Sequence, residues 1–355
     1  MARITLDGIA HSYDARSPNA LQRLDHVWEQ GRAYALLGPS GCGKTTLLNI
    51  ISGLITPSEG RVLFDGSDVT HLPTERRNIA QVFQFPVIYD TMTVAGNLAF
   101  PLKNRGVERG AIKSRVAEVA ALLGLTQDLS RRARGITAEA KQKVSLGRGL
   151  VRADVAAILF DEPLTVIDPS LKWQLRSKLK AVHRALDLLM IYVTHDQIEA
   201  LTFADEVVVM KDGRVLQVAT PARLFEQPEH TFVGYFIGSP GMNLVAANVA
   251  DNVAHVAGHA IELAGRYPSL PDKSTVLGFR PDYASLVPDG GIPVRIRRLE
   301  DLGRRRLARV ALGPHEIFAT VPPDMPIDGE QAGLTIRQDR LFVYANDELV
   351  AGNRR

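Results

Sequence analysis

Gly38-Pro39-Ser40-Gly41-Cys42-Gly43-Lys44-Thr45-Thr46 is the stretch on which the reading of this chain turns. It fits the phosphate-binding pattern G-x-x-x-x-G-K-[ST] without a gap. An apolar run, Tyr34–Leu37, enters it as a strand, and an apolar-spaced run, Leu47–Ile51, leaves it as a helix. A Gly-rich turn alone is common, but Lys-Thr at this spacing between strand and helix is not. The glycines let backbone N–H groups close around phosphates, and the following helix adds the positive end of its dipole. Lys44 is expected on the β- and γ-phosphates, with the Thr45 hydroxyl on Mg²⁺. The nonapeptide as a whole predicts a bound nucleotide.

Two further runs are almost continuously apolar, as in a parallel sheet covered on both faces. Val155–Phe160 ends at Asp161-Glu162, and Leu188–Val193 ends at Thr194-His195-Asp196. Gln81–Gln84 reads as another strand, followed by a Pro-marked loop to Thr93. In an open α/β sheet, ligands bind just outside the carboxyl ends of the strands, so Lys44, Asp161, Glu162 and His195 are expected at one edge. Asp161 would hold Mg²⁺, Glu162 would act as general base toward an attacking water, and His195 would reach the γ-phosphate. Gln84 would hold the Mg²⁺ or the water. Alone, two carboxylates after a strand are an ordinary surface cap and a lone histidine is ordinary structure; beside the phosphate loop both become a site.

The rest of the chain sets bounds. At 355 residues two domains are expected, and we place them at 1–237 and 238–355 with a hinge at Gly238-Ser239-Pro240-Gly241. The first is α/β. The second reads as short strands with turns (Thr275–Phe279, Val294–Arg297, Leu307–Val310, Leu341–Tyr344), the pattern of a small β-barrel. A net charge of only +3 argues against nucleic acid as a partner. The single cysteine, Cys42, agrees with a reducing compartment. Residues Met1–Asp7 lack the apolar core of a secretory leader, and no apolar run approaches the ~18 residues of a membrane span, so a cytoplasmic location is expected. Arg295, Arg297, Arg298, Arg304, Arg305, Arg306 and Arg309 crowd one segment with Glu300 and Asp301, which we read as a solvated hairpin.

In this order the motifs resemble the ATP-binding subunits of ABC transporters, specifically the sugar-importer ATPases, over essentially the whole chain. Gly38–Thr46 matches the Walker A motif, Ile158–Glu162 the Walker B motif with its catalytic Glu, Gln84 the Q-loop and Thr194-His195-Asp196 the switch-histidine region. Leu164–Asp168 stands where the family has its D-loop and keeps Asp168. Tyr13 falls where the family stacks an aromatic on adenine. Gly238–Asn243 and Gly278-Phe279-Arg280-Pro281 resemble segments of the family's OB-like (TOBE) regulatory domain. The resemblance implies ATP and Mg²⁺ as cofactors. As partners it implies integral-membrane permease subunits, a second ATPase subunit and, indirectly, a solute-binding protein outside the membrane. The chain would sit at the cytoplasmic face of the membrane through the permease.

One motif departs. The family signature Leu-Ser-Gly-Gly-Gln stands here as Ile136-Thr137-Ala138-Glu139-Ala140. In the family two such domains pair head to tail, and each signature caps the ATP held by the other. Thr137 keeps a hydroxyl for that purpose. Ala138 adds a methyl where backbone must approach phosphate closely, and Glu139 adds a carboxylate that repels it. The same residues also make a good helix start. The expectation is a heterodimer with one competent and one weakened ATP site, energising import of a sugar, polyol or glycerol phosphate. The alternatives are a homodimer of the same class or a mainly ATP-binding, weakly hydrolysing subunit. A P-loop kinase would need no signature helix, and a soluble ABC ATPase acting on nucleic acid usually carries two ATPase units in one chain.

Overall fold

Apolar patterning sorts the chain into two compact units, Met1–Pro221 and Ala222–Arg355, in a computed structural model that describes residues 3–14, 19–152, 154–270, 274–303, 305–326 and 329–354. The N-terminal unit begins with β1 (Ile4–His11), β2 (Leu21–Trp28), β3 (Ala33–Leu37) and α1 (Lys44–Ser52). It continues through β4 (Glu59–Phe64), β5 (Ser67–Asp68), β6 (Ile79–Val82), α2 (Val94–Lys103), α3 (Arg109–Leu123) and α4 (Ala138–Leu150). It closes with β7 (Ala157–Asp161), α5 (Pro169–Leu186), β8 (Leu189–Thr194), α6 (Gln197–Phe203), β9 (Glu206–Lys211) and β10 (Arg214–Ala219).

Six strands form the central sheet in the order β10-β9-β3-β8-β7-β6, with every pairing parallel except β9 with β10. Strands β3, β7 and β8 are buried at every position, which is why they read as unbroken apolar runs. An antiparallel sheet, β2-β1-β4-β5, packs through Ile4, Leu6, Trp28 and Val62 into the same core as α1 and the central strands.

His26 lies edge-on to Trp28 with ring centroids 4.3 Å apart, and its Nε2 is buried without a hydrogen-bond partner among the described residues. Burial pushes its pKa from 6.5 down to about 4. The unfolded chain therefore binds a proton near pH 6.5, whereas the folded chain does so only near pH 4. Stability falls as pH drops through that window and levels off below it. The loss from this one group is at most ~3 kcal/mol. We expect His26→Phe to flatten that part of the slope when urea unfolding is compared at pH 7 and pH 4.5.

In the C-terminal unit, Ala284–Val287, His315–Val321, Arg306–Leu312, Ile292–Asp301 and Gln331–Ile336 close into a barrel of five strands, as in an OB fold. A four-stranded sheet (Asn243–Ala246, Thr275–Phe279, Phe342–Ala345, Glu348–Leu349) contributes Val245, Phe279 and Val343 to the same core. The helical turns Pro221–Glu226 and Thr231–Phe236 are fastened within this unit by Arg280, which is 1% exposed. Its guanidinium donates to the carbonyls of Phe225 and Gly234 at 3.0 Å, donates also to Ile237, and lies 4.1 Å over the Phe225 ring. That clamp explains why the compact units divide after Pro221, upstream of the Gly238 junction expected from the sequence. Replacing Arg280 with Met strands several buried carbonyls at once. We expect a loss of about 3 kcal/mol in guanidinium unfolding of the full chain, only partly restored by Lys.

Of the arginine-rich segment, Arg304 lies outside the described residues. Arg309 pairs with Glu316 at 3.1 Å, Arg305 pairs with Asp282 at 2.5 Å, and Arg306 donates to the carbonyl of Pro323 at 2.7 Å. These arginines are engaged within their own unit, as a structural hairpin requires.

Candidate active site

Register brings the functional residues to one edge. Leu37 lies opposite Thr194, Val193 opposite Asp161, and Phe160 opposite Val82, so β3, β8, β7 and β6 end level with one another. The phosphate loop follows β3, Glu162 follows β7, His195 follows β8, and Gln84 lies just past β6. Each therefore leaves the sheet at its carboxyl edge.

Within the loop, glycine is obligatory where the backbone passes close to its neighbours. Gly43 starts α1 with φ 100°, and a Cβ there would stand 2.5 Å from the Ala20 carbonyl oxygen. A Cβ at Gly38 would stand 2.2 Å from the Met210 carbonyl oxygen. Ser40 and Gly41 are exposed at the crest, with open space where a Gly41 side chain would be. Lys44 is buried and donates from Nζ to the carbonyls of Gly38 and Pro39, both at 2.8 Å, so its ammonium is held inside the turn. Cys42 lies 3.7 Å from that ammonium, yet burial pushes its thiol pKa up and keeps it neutral. Thr46 shares a 3.0 Å hydrogen bond with the hydroxyl of Tyr13, whose ring is largely exposed and edge-on to His11.

The Thr45 hydroxyl donates to Asp161 Oδ1 at 3.1 Å. Burial raises the pKa of Asp161 above its ordinary value, while the Thr45 hydrogen bond works in the other direction. The Asp161 carboxylate and the Thr45 hydroxyl are a pair of oxygen donors of the kind Mg²⁺ takes together with phosphate oxygens and water, while the Gln84 amide lies on Glu162. Among the described residues no group of three His, Cys, Asp or Glu side chains could hold a metal by itself. The donor set fits a cation that arrives with its nucleotide.

Glu162 takes the left-handed conformation, φ 45°, with its N–H bonded to the Val193 carbonyl at 3.0 Å. A non-glycine residue held there is strained backbone fixed by its surroundings, and such positions cluster at functional sites. Its Oε1 lies 3.1 Å from His195 Nδ1 and its Oε2 lies 3.5 Å from Gln84 Nε2. Residues that follow three different strands thus converge on one carboxylate. Thr137 and Asp168 are placed elsewhere in the unit. Thr137 caps α4, accepting from the Ala140 N–H at 3.2 Å, and Asp168 caps α5, accepting from the Ser170 N–H at 2.9 Å.

Several positioning residues escape a motif search. Gln142 on α4 is 1% exposed and donates to the Pro163 carbonyl at 2.7 Å, immediately after Glu162. On the same helix, Ser145 Oγ accepts from the Val87 N–H at 3.2 Å, and Arg148 donates to the Val87 carbonyl at 2.9 Å. Helix α4 therefore ties the loop beyond Gln84 to the turn beyond Glu162. Buried Glu199 accepts from Tyr192 and Thr194, each at 3.0 Å, and lies 3.2 Å from Lys172 Nζ, which anchors the strand end that carries His195. The available signal was polar residues three apart along one face of α4, 142, 145 and 148.

A phosphate loop, a buried Asp and an adjacent Glu at the edge of a parallel sheet define a P-loop ATPase, here followed by an OB-like domain. Residues 21–165 match the family model described as ABC transporter. The chain is 37% identical to the sn-glycerol-3-phosphate import ATP-binding protein UgpC of Burkholderia ambifaria, over 97% of this chain and 98% of that one. It is 36% identical to the proteins of the same name from Vibrio cholerae, over 98% and 95%, and Escherichia coli O157:H7, over 97% and 98%. The chain belongs to the ABC transporter family, as an ATP-binding subunit of the carbohydrate-importer type, an ATPase coupled to transport. Among the described residues no helix is long and apolar enough to cross a membrane.

Proposed function

We propose that this chain binds Mg-ATP at the loop Gly38–Thr46 and hydrolyses it to drive import of sn-glycerol-3-phosphate or a related sugar or polyol. Lys44 and the loop N–H groups hold the phosphates, and Thr45, Asp161 and Gln84 would hold Mg²⁺, which when bound would supply positive charge beside the transferred phosphoryl group. Glu162 takes a proton from the attacking water, while His195 on its Oε1 and Gln84 on its Oε2 set the direction of that carboxylate. Tyr13 stacks on adenine. The convergence of His195 and Gln84 on Glu162 carries this reading. The solute is inferred from what the similar proteins are named for. The permease subunits and a solute-binding protein are the partners such an ATPase implies, which places the chain at the cytoplasmic face of the cell membrane.

The chain's own site has every part that hydrolysis needs, whereas its signature is poorly made for the ATP of a partner. Thr137 Oγ is engaged on the Ala140 N–H, and Glu139 lies 2.5 Å from Lys143 in the first turn of α4. The helix start is thus already supplied with a negative charge of its own. The proposed assembly is a heterodimer in which the site built on this chain's phosphate loop is competent and the site completed by its signature is weak. The Lys143 pairing favours a second reading, a homodimer in which that lysine neutralises Glu139. The test is the double change Ala138→Gly, Glu139→Gly in the assembled transporter. We expect roughly tenfold more nucleotide trapped at the partner's site, since a close phosphate contact is gained and a repulsion removed. An unchanged level would sink the asymmetric assembly while leaving the hydrolytic site as described.

A further inference from the structure

Arg176 on α5 is 7% exposed, and its Nε is buried without a hydrogen-bond partner among the described residues. No ion pair reaches it among the described residues; Glu199 on α6 takes Tyr192 and Thr194 on its Oε2 and has Lys172 3.2 Å from its Oε1. A guanidinium largely withdrawn from water with no ion pair is costly, so its open edge favours an anion. This one lines an open cleft of about 250 Å³. Positions 173, 176, 177, 180 and 184 share one face of α5 by helical spacing, and Thr202 closes the cleft from α6. The lining thus offers three cations (Arg176, Lys180, Arg184) and no carboxylate, while the hydroxyls of Ser177 and Thr202 donate to the carbonyls of Trp173 and Ile198. Lys180 Nζ is held over the cleft 3.5 Å from the Thr202 carbonyl. Trp173, 64% exposed, forms the rim.

We propose that this cleft binds a small oxyanion carrying two or more negative charges, with Arg176 as its central ligand. The volume suits a compact anion, and the planar fork of Arg176 matches paired oxygens on phosphate or carboxylate. The site is separate from the phosphate loop and does not depend on the nucleotide reading.

Trp173 makes the test direct. The chain has two tryptophans, and the other, Trp28, is wholly buried in the N-terminal core, so a ligand-induced change in exposed indole emission reports this cleft. The full chain carrying Lys44→Ala, which removes competition from the phosphate loop, is titrated with pyrophosphate and separately with citrate. Sodium chloride of matched ionic strength is the control. A saturable change with either anion is expected, and the two arms distinguish phosphate from carboxylate ligands. Adding Arg176→Met should weaken binding about tenfold or more. The double change Lys180→Ala, Arg184→Ala, at positions facing solvent, should also weaken it and decides the matter should Arg176→Met fail to fold. No saturable change beyond chloride with either anion, or undiminished binding in these variants, overturns the site.

Discussion

Glu162→Gln is expected to reduce ATP turnover by about 10²–10⁴-fold while leaving ATP binding intact, because it removes proton transfer and little else. The side chain keeps its length, its contact with His195 and its place in the left-handed turn. The phosphate loop, Lys44 and the Thr45–Asp161 pair are untouched. The expected record is a nucleotide-loaded protein that does not turn over, measured by phosphate release and by filter retention of labelled ATP. His195→Ala should lower turnover in the same direction, since His195 lies on the opposite oxygen of that carboxylate from Gln84. Near-normal turnover in Glu162→Gln would remove Glu162 as general base.

Lys44→Ala is expected to act earlier in the cycle. The ammonium is buried and oriented by the carbonyls of Gly38 and Pro39, so it is preorganised as a phosphate ligand, and its loss takes the donor from both carbonyls. Removing one member of a buried charge pair costs several kcal/mol. Nucleotide affinity should therefore drop by about 10²-fold or more and turnover should disappear with it. The two variants separate cleanly by equilibrium ATP binding: Glu162→Gln retains the nucleotide and Lys44→Ala does not.

The site was largely legible in the sequence because its residues follow fully buried strands. Unbroken apolar runs mark β3, β7 and β8, and the polar residue after each run has to emerge at the same sheet edge. The barrel was legible as a class, from strands at regular spacing, though not in its strand order, which depends on pairings between distant segments such as Ile292–Asp301 with Gln331–Ile336. Gly238–Gly241 reads as a hinge in sequence, while the compact units divide after Pro221, and one buried arginine, Arg280, bonds there to carbonyls more than forty positions upstream. The contacts of Gln142, Ser145 and Glu199 were not legible for the same reason: each acts on backbone or side chains that only the fold brings near. Arg176 was unremarkable in sequence as one of several cations on α5, and only its burial without a partner sets it apart.

The most direct test of the proposed asymmetric ATPase is the mass in solution of the Glu162→Gln chain in Mg-ATP, alone and with the second ATPase subunit that the proposal requires. The account predicts a monomer alone and a trapped, ATP-loaded heterodimer with the partner, because on this account Ala138 and Glu139 close poorly over a second copy's phosphates. A stable ATP-loaded homodimer of Glu162→Gln, together with full turnover by the unaltered chain alone, would contradict it.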